Sequence, residues 1–149
     1  MNTYTEAIVA TKAALVTRSP VIVSFILNHD GQIWNGDILA PTATEILKLG
    51  AIGISINCTH HRIITHAIEN LSRHHLTPIC AYANAGIFNP QSGWETDPTF
   101  TSESYAETVF NWIQKGVRIV GGCCGINSET IRVVVKRVQR DGESLWTGG

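Results

Sequence analysis

The sequence predicts an α/β fold with a parallel sheet and helices packed outside it. Three observations carry this. Helical and strand-like hydrophobic periods alternate strictly along the chain. The apolar runs between the helical segments have strand length and β-rich composition. A helix-length segment follows every run, as connections between parallel neighbours require.

The elements follow in order. Residues 4–17 have a helical period, with Ala7, Ala10 and Ala14 on one side and Ile8 and Leu15 beside them. Pro20 interrupts, and "VIVSFIL" (21–27) reads as a buried strand. "NHDGQIWNGD" is a turn-rich loop, after which Pro41 and Thr42 open a helix that runs to Leu49 and ends at Gly50. "AIGISIN" (51–57) is the second strand, with Cys58 directly after it. Residues 60–73 form a helix with Ile64, Ala67, Ile68 and Leu71 on one face, and "TPICAYA" (77–83) is the third strand. The long segment "NAGIFNPQSGWETDPTFTS" shows neither helical nor strand period, and a loop of that length in a compact domain is functional or disordered. A helix from about Ser104 to Lys115 has Tyr105, Val109 and Ile113 as its inner stripe and Gly116 as its cap. "VRIVGG" (117–122) is the fourth strand, and the last helix, 128–140, places Ile131, Val134, Val135 and Val138 on one face. "SLWTGG" reads as a loose tail.

At 149 residues the chain has the length of one ordinary domain, enough for a core that needs no disulfide staples. Charged residues are 15% and the net charge is −1, so neither nucleic acid nor an anionic membrane is an expected partner. The N-terminus has no basic region and no long apolar run, and no stretch of membrane-spanning length occurs, so the expected compartment is the cytoplasm. The four cysteines, Cys58, Cys80, Cys123 and Cys124, would allow three pairings as two disulfides. Reduced thiols kept for a metal or for catalysis fit that compartment better.

Working groups in parallel α/β folds sit at the carboxyl ends of strands. Cys58 follows strand 51–57, and Cys123 and Cys124 follow strand 117–122, so three thiols are expected over one edge of the sheet. Neighbouring cysteines do not readily close a relaxed disulfide, but both can face one ion if the backbone bends, and Gly121 and Gly122 allow that bend. Thiolates suit zinc, and three protein ligands leave a fourth position open, as in catalytic sites. Free cysteine is also a common core residue, and spacing alone leaves packing and ligation equally open. Cys80, inside its strand, reads as core. His60 and His61 follow Cys58 closely enough for a mixed Cys/His site, but the preferred reading is a solvated helix start. His66, His74 and His75 fall on or near the polar side of that helix, and His29 lies in a loop.

"ISINCTH" (54–60) with "IVGGCCG" (119–125) resembles the homocysteine S-methyltransferase family, whose hallmark is Asn-Cys at one strand end and Gly-Gly-Cys-Cys at another. "YANAGIFNPQSGW" (82–94) is similar to the family's Tyr-Pro-Asn-x-Gly segment with its following tryptophan. "DGQIWNGDIL" (30–39) resembles the segment after the family's fifth strand. The resemblance implies that Cys58, Cys123 and Cys124 bind Zn2+, which takes the homocysteine sulfur as its fourth ligand and keeps it as thiolate. That thiolate would attack the methyl group of a sulfonium, betaine-like or folate donor to give methionine, a step of methionine biosynthesis. Asn57, Tyr82 and Asn84 match family positions near the pocket and are implied to shape it or face substrate.

Three departures stand out. Ala83 replaces the family's usual proline, and "GINSET" replaces Thr-Pro after the cysteines, leaving Ser128 to cap the last helix. The third is length. The family fold is a (β/α)8 barrel of roughly 250 residues, whereas residues 1–149 read as a single domain matching its C-terminal half, a half-barrel of about four strands. The first half, which holds the amino-acid part of homocysteine, has no replacement in residues 1–50. Strands 21–27 and 117–122 are then expected as open edges, with a bare apolar inner face. A complementary N-terminal half-barrel chain or a homodimer would close it. The competing functional reading is an inactive remnant serving as a zinc-binding or protein-association module. A dithiol redox role for Cys123 and Cys124 is disfavoured, since the chain lacks Cys-x-x-Cys spacing.

Overall fold

The computed structural model describes residues 1–76, 78–89 and 91–141. Its elements are α1 (Tyr4–Leu15), β1 (Ile22–Phe25), α2 (Leu39–Leu49), β2 (Gly53–His60), α3 (His61–Arg73), β3 (Ile79–Asn84), β4 (Gly86–Asn89), β5 (Gly93–Thr96), α4 (Ser102–Gln114), β6 (Val117–Gly122) and α5 (Ser128–Asp141). Thr77 and the "SLWTGG" tail lie outside the described residues. No helix among the described residues is long and apolar enough to cross a membrane.

Four strands form one sheet in the order β1-β2-β3-β6, each pair parallel. The edges are therefore β1 and β6, the two strands expected to be open. The register sorts side chains into rows. Phe25, Ile56, Ala81 and Val120 align across the sheet on the face that packs against the helices. There they meet Ile46, Ile64, Ile68, Val109 and Trp112 in the main core. Trp112 is fully buried and its indole N–H donates to Thr65 Oγ1 at 2.9 Å.

The opposite face carries a different row: Ser24, Ser55, Cys80 and Ile119, then Asn57, Tyr82 and Gly121. This corrects the expectation of a bare apolar inner face. Strand alternation delivers hydroxyls, an amide, a phenol and small residues to that side, with half-exposed hydrocarbon from Ile22 and Ile119. Cys80 is buried, as its place inside a strand suggested.

Helix ends follow local chemistry. Gly50 closes α2 at φ 113° and Gly116 follows α4 at φ 99°. The Thr101 and Ser104 side chains form a reciprocal cap at the head of α4, which starts two residues earlier than expected. α2 likewise begins at Leu39, with Pro41 in the first turn where its missing N–H is harmless. The last helix is capped by Asn127, not Ser128: Asn127 Oδ1 accepts from the Thr130 N–H at 2.9 Å. The long segment after β3 is also not irregular. β4 and β5 pair there as an antiparallel hairpin.

Candidate metal centre

β2 does not stop at Asn57. It runs on to His60 through a register shift between Asn57 and Thr59, so Cys58 is the extra residue of a bulge and not the first residue past the strand. Cys58 has φ 53°, an uncommon conformation for a residue with a Cβ. Thr59 pins the distortion: its hydroxyl donates to the Asn57 carbonyl at 3.0 Å and accepts from the Leu27 N–H at 3.0 Å. Bulges of this kind re-aim a side chain, here the Cys58 thiol.

The doublet is held by the end of β3. The Cys123 N–H donates to the Ala83 carbonyl at 2.8 Å, and the Ala85 N–H donates to the Cys124 carbonyl at 2.9 Å. Gly125, at φ 79°, then turns the chain toward α5. Gly121 and Gly122 serve the doublet by close approach and not by positive φ. A Cβ on Gly121 would overlap the Tyr82 ring, and one on Gly122 would overlap Ile126.

The three thiols converge. Cys58 Sγ lies 3.8 Å from Cys124 Sγ, and Cys123 Sγ lies 3.9 Å from Cys124 Sγ. All three sulfurs fall within 4.8 Å of one another. Sulfurs bonded to one zinc at about 2.3 Å sit about 3.8 Å apart in a tetrahedron, so the donor set fits such an ion. None is disulfide-bonded. Burial, followed by the neighbouring Cys123 and Cys124 thiols, pushes the Cys58 thiol up to about 12. A cation among the sulfurs reverses that trend.

Asn84 links the two arms. Its Oδ1 accepts from the Cys124 N–H at 3.1 Å, and its Nδ2 points at Cys58 Sγ from 4.0 Å. Asn57 Oδ1 accepts from the Ser24 hydroxyl at 2.7 Å, and Tyr82 lies over Gly121 on the same face. Tyr105, read from the sequence only as helix packing, donates its hydroxyl to the Gly121 carbonyl at 2.7 Å, and burial raises its pKa.

His60 and His61 are not a solvated helix start. Their side chains are 11% and 13% exposed, and both face Asp97, itself 13% exposed. Asp97, just past β5, carried no motif or spacing that marks it in the sequence. His29, His66, His74 and His75 are exposed, in line with their polar settings.

A family model described as homocysteine S-methyltransferase matches residues 1–138. The chain belongs to the homocysteine S-methyltransferase family. Among similar family proteins, homocysteine S-methyltransferase YbgG of Bacillus subtilis is 34% identical over 117 residues, covering 75% of this chain and 36% of that protein. Selenocysteine methyltransferase of Astragalus bisulcatus is 32% identical over 123 residues, 79% of this chain and 36% of its own length. The apo crystal structure of homocysteine methyltransferase MmuM from Escherichia coli superposes with a TM-score of 0.70 at 23% identity, over 91% of this chain and 47% of that one. That likeness shows the fold: four parallel strands flanked by helices, consistent with half of a barrel. The chain spans about a third of the length of these curated family members.

Proposed function

We propose that this chain supplies the metal-binding half of a zinc-dependent homocysteine S-methyltransferase, with Cys58, Cys123 and Cys124 as the zinc ligands. The observation that carries the reading is the convergence of three unpaired sulfurs from two strand ends. When bound there, zinc supplies positive charge that keeps a substrate thiol ionised near neutral pH.

The chain's own residues prepare the place for that substrate. Asn84 holds the Cys124 backbone and faces the Cys58 sulfur, keeping the two arms in register. Thr59 fixes the bulge that aims Cys58. Tyr82 and the Asn57–Ser24 pair line the inner face below the sulfurs and are assigned to shaping the pocket floor. The substrate sulfur forms a bond to the donor's methyl carbon as the bond from that carbon to the donor's sulfur or nitrogen breaks. The donor departs with that electron pair, and the products are methionine and the demethylated donor. Donors of the sulfonium, betaine-like or folate class fit this chemistry.

Closing the pocket calls for strands paired on the β1 and β6 edges, from a complementary half-barrel or a second copy. Unpaired thiols held for a metal suit a reducing compartment such as the cytoplasm. The test is zinc content by elemental analysis, with methyl transfer to homocysteine assayed in the closed barrel. The expected result is one zinc per chain at the sulfur site, with Cys123→Ala abolishing both zinc retention and transfer. Unchanged zinc binding at that site in Cys123→Ala would overturn the ligand set. Zinc retention without transfer in a closed barrel would reduce the chain to a metal-binding module.

A further inference from the structure

A second donor cluster lies beside the sulfurs and is independent of them. His60 closes β2, His61 opens α3, and Asp97 follows β5. His60 Nε2 is 3.1 Å and His61 Nε2 is 3.7 Å from Asp97 Oδ2, and one donor atom from each of the three residues lies within 4.8 Å of the others. The imidazole rings face each other with centroids 4.4 Å apart. His61 Nε2 is buried and has no hydrogen-bond partner among the described residues. A buried ring nitrogen left without a partner calls for one, and an ion is among the few that fit.

We propose that His60, His61 and Asp97 form a second divalent-cation site, of nitrogen and oxygen donors, that ties the β4–β5 hairpin to the head of α3. Two imidazoles and a carboxylate suit zinc, cobalt or nickel, in contrast to the soft sulfur set. Donors about 2.0–2.1 Å from such an ion sit about 3.3 Å apart in a tetrahedron, which the two distances to Asp97 bracket. The other Asp97 oxygen is already fixed, accepting from the Thr99 N–H at 2.8 Å and the Thr99 hydroxyl at 2.6 Å, so the carboxylate is oriented before any ion arrives.

Three contacts to the donor residues must give way. The His60 Nε2···Asp97 Oδ2 hydrogen bond, at 3.1 Å, is replaced by the shared ion. Arg62 Nη2 stands 3.6 Å from Asp97 Oδ2 and donates to Thr99 Oγ1 at 2.9 Å, but its side chain is 64% exposed and can exchange both for water. A metal on His60 Nε2 puts the remaining ring proton on Nδ1, which displaces the 3.4 Å contact from the Arg62 N–H. That contact is weak, and the N–H groups of a first helical turn are readily hydrated.

Cobalt(II) titration of a Cys58→Ser, Cys123→Ser, Cys124→Ser chain tests the proposal. The expected result is one cobalt per chain, with visible ligand-field bands and no thiolate charge-transfer band. His61→Ala and, separately, Asp97→Asn in that background weaken binding about 100-fold. Absence of cobalt binding in a triple variant that keeps the parent's circular dichroism would overturn the site. If the triple variant does not fold, the parent is loaded with zinc at the sulfurs and then titrated with cobalt. A second equivalent with a nitrogen–oxygen spectrum, lost in His61→Ala, supports the site, and its absence rejects it. Either outcome leaves the sulfur reading to its own test, because the two donor sets share no residue.

Discussion

The same four strands present two unlike faces. Toward the helices they offer Val23, Phe25, Ile54 and Ile56, all buried in one apolar cluster. On the opposite face they offer Ser24, Ser55, Asn57, Cys80 and Tyr82, with the three converging sulfurs at the rim. The difference separates two jobs. Burial of the outer row supplies most of the stability, and the inner row gives up hydrocarbon so that polar and sulfur chemistry can sit at the strand ends. Substitutions on one face should then leave the other's property largely alone.

The largest effect is expected on the outer side. Trp112→Ala removes a fully buried indole and its hydrogen bond to Thr65. It should lower stability by about 3–5 kcal/mol in denaturant unfolding. If that variant also failed to bind zinc while still folded, the separation of the faces would be broken.

A smaller effect is expected at the rim. Asn84→Ala leaves the Cys124 N–H without its acceptor and frees the doublet to move relative to Cys58. We expect a stability loss of about 1–3 kcal/mol and zinc affinity lower by about tenfold or more, measured by competition with a chelator. Asn84→Asp, which keeps the acceptor for the Cys124 N–H but loses the donor aimed at Cys58, should recover the stability and only part of the affinity. Gly122→Ala sharpens the point, since its Cβ would displace Ile126 beside the doublet. Zinc affinity should fall there while the helix-facing core keeps its packing, as read by near-ultraviolet circular dichroism.

The smallest effect lies outside both faces, between α3 and α4. Lys115 Nζ sits 2.5 Å from Glu69 Oε1 and holds the Glu69 carboxyl below its ordinary range. A lowered carboxylate pKa contributes stability above its unfolded value and loses it as pH falls through the folded one. Lys115→Met should return the Glu69 titration upward in NMR, and the midpoint of acid unfolding should move little, because the pair is solvent-screened.

How much of this could be read in advance depended on how local each cause was. Gly50 and Gly116 end their helices through their own backbone freedom; strict alternation was enough to foresee parallel strands, and the resemblance to half of a barrel was needed to foresee β1 and β6 as edges. The sulfur trio was legible because two strand ends share one rim. The course of β2 past Asn57 was not, since the bulge depends on Thr59 reaching Leu27 on another strand. His60 and His61 looked hydrated because their burial depends on Asp97, far along the chain just past a hairpin too short to show a clear period. The capping role went to Asn127 because its amide oxygen reaches the Thr130 N–H, a matter of one residue in phase. The inner face was misjudged for a different reason. An open sheet suggests exposed hydrocarbon, and the alternate positions along β1, β2 and β3 had to be laid in register before their polarity was evident.

The most direct measurement is zinc K-edge X-ray absorption on the His61→Ala chain carrying one equivalent of zinc, so that only the sulfur cluster competes for the ion. The expected spectrum is a first shell dominated by three sulfurs at about 2.3 Å. A shell of nitrogen or oxygen at about 2.0–2.1 Å with no sulfur contribution would contradict it.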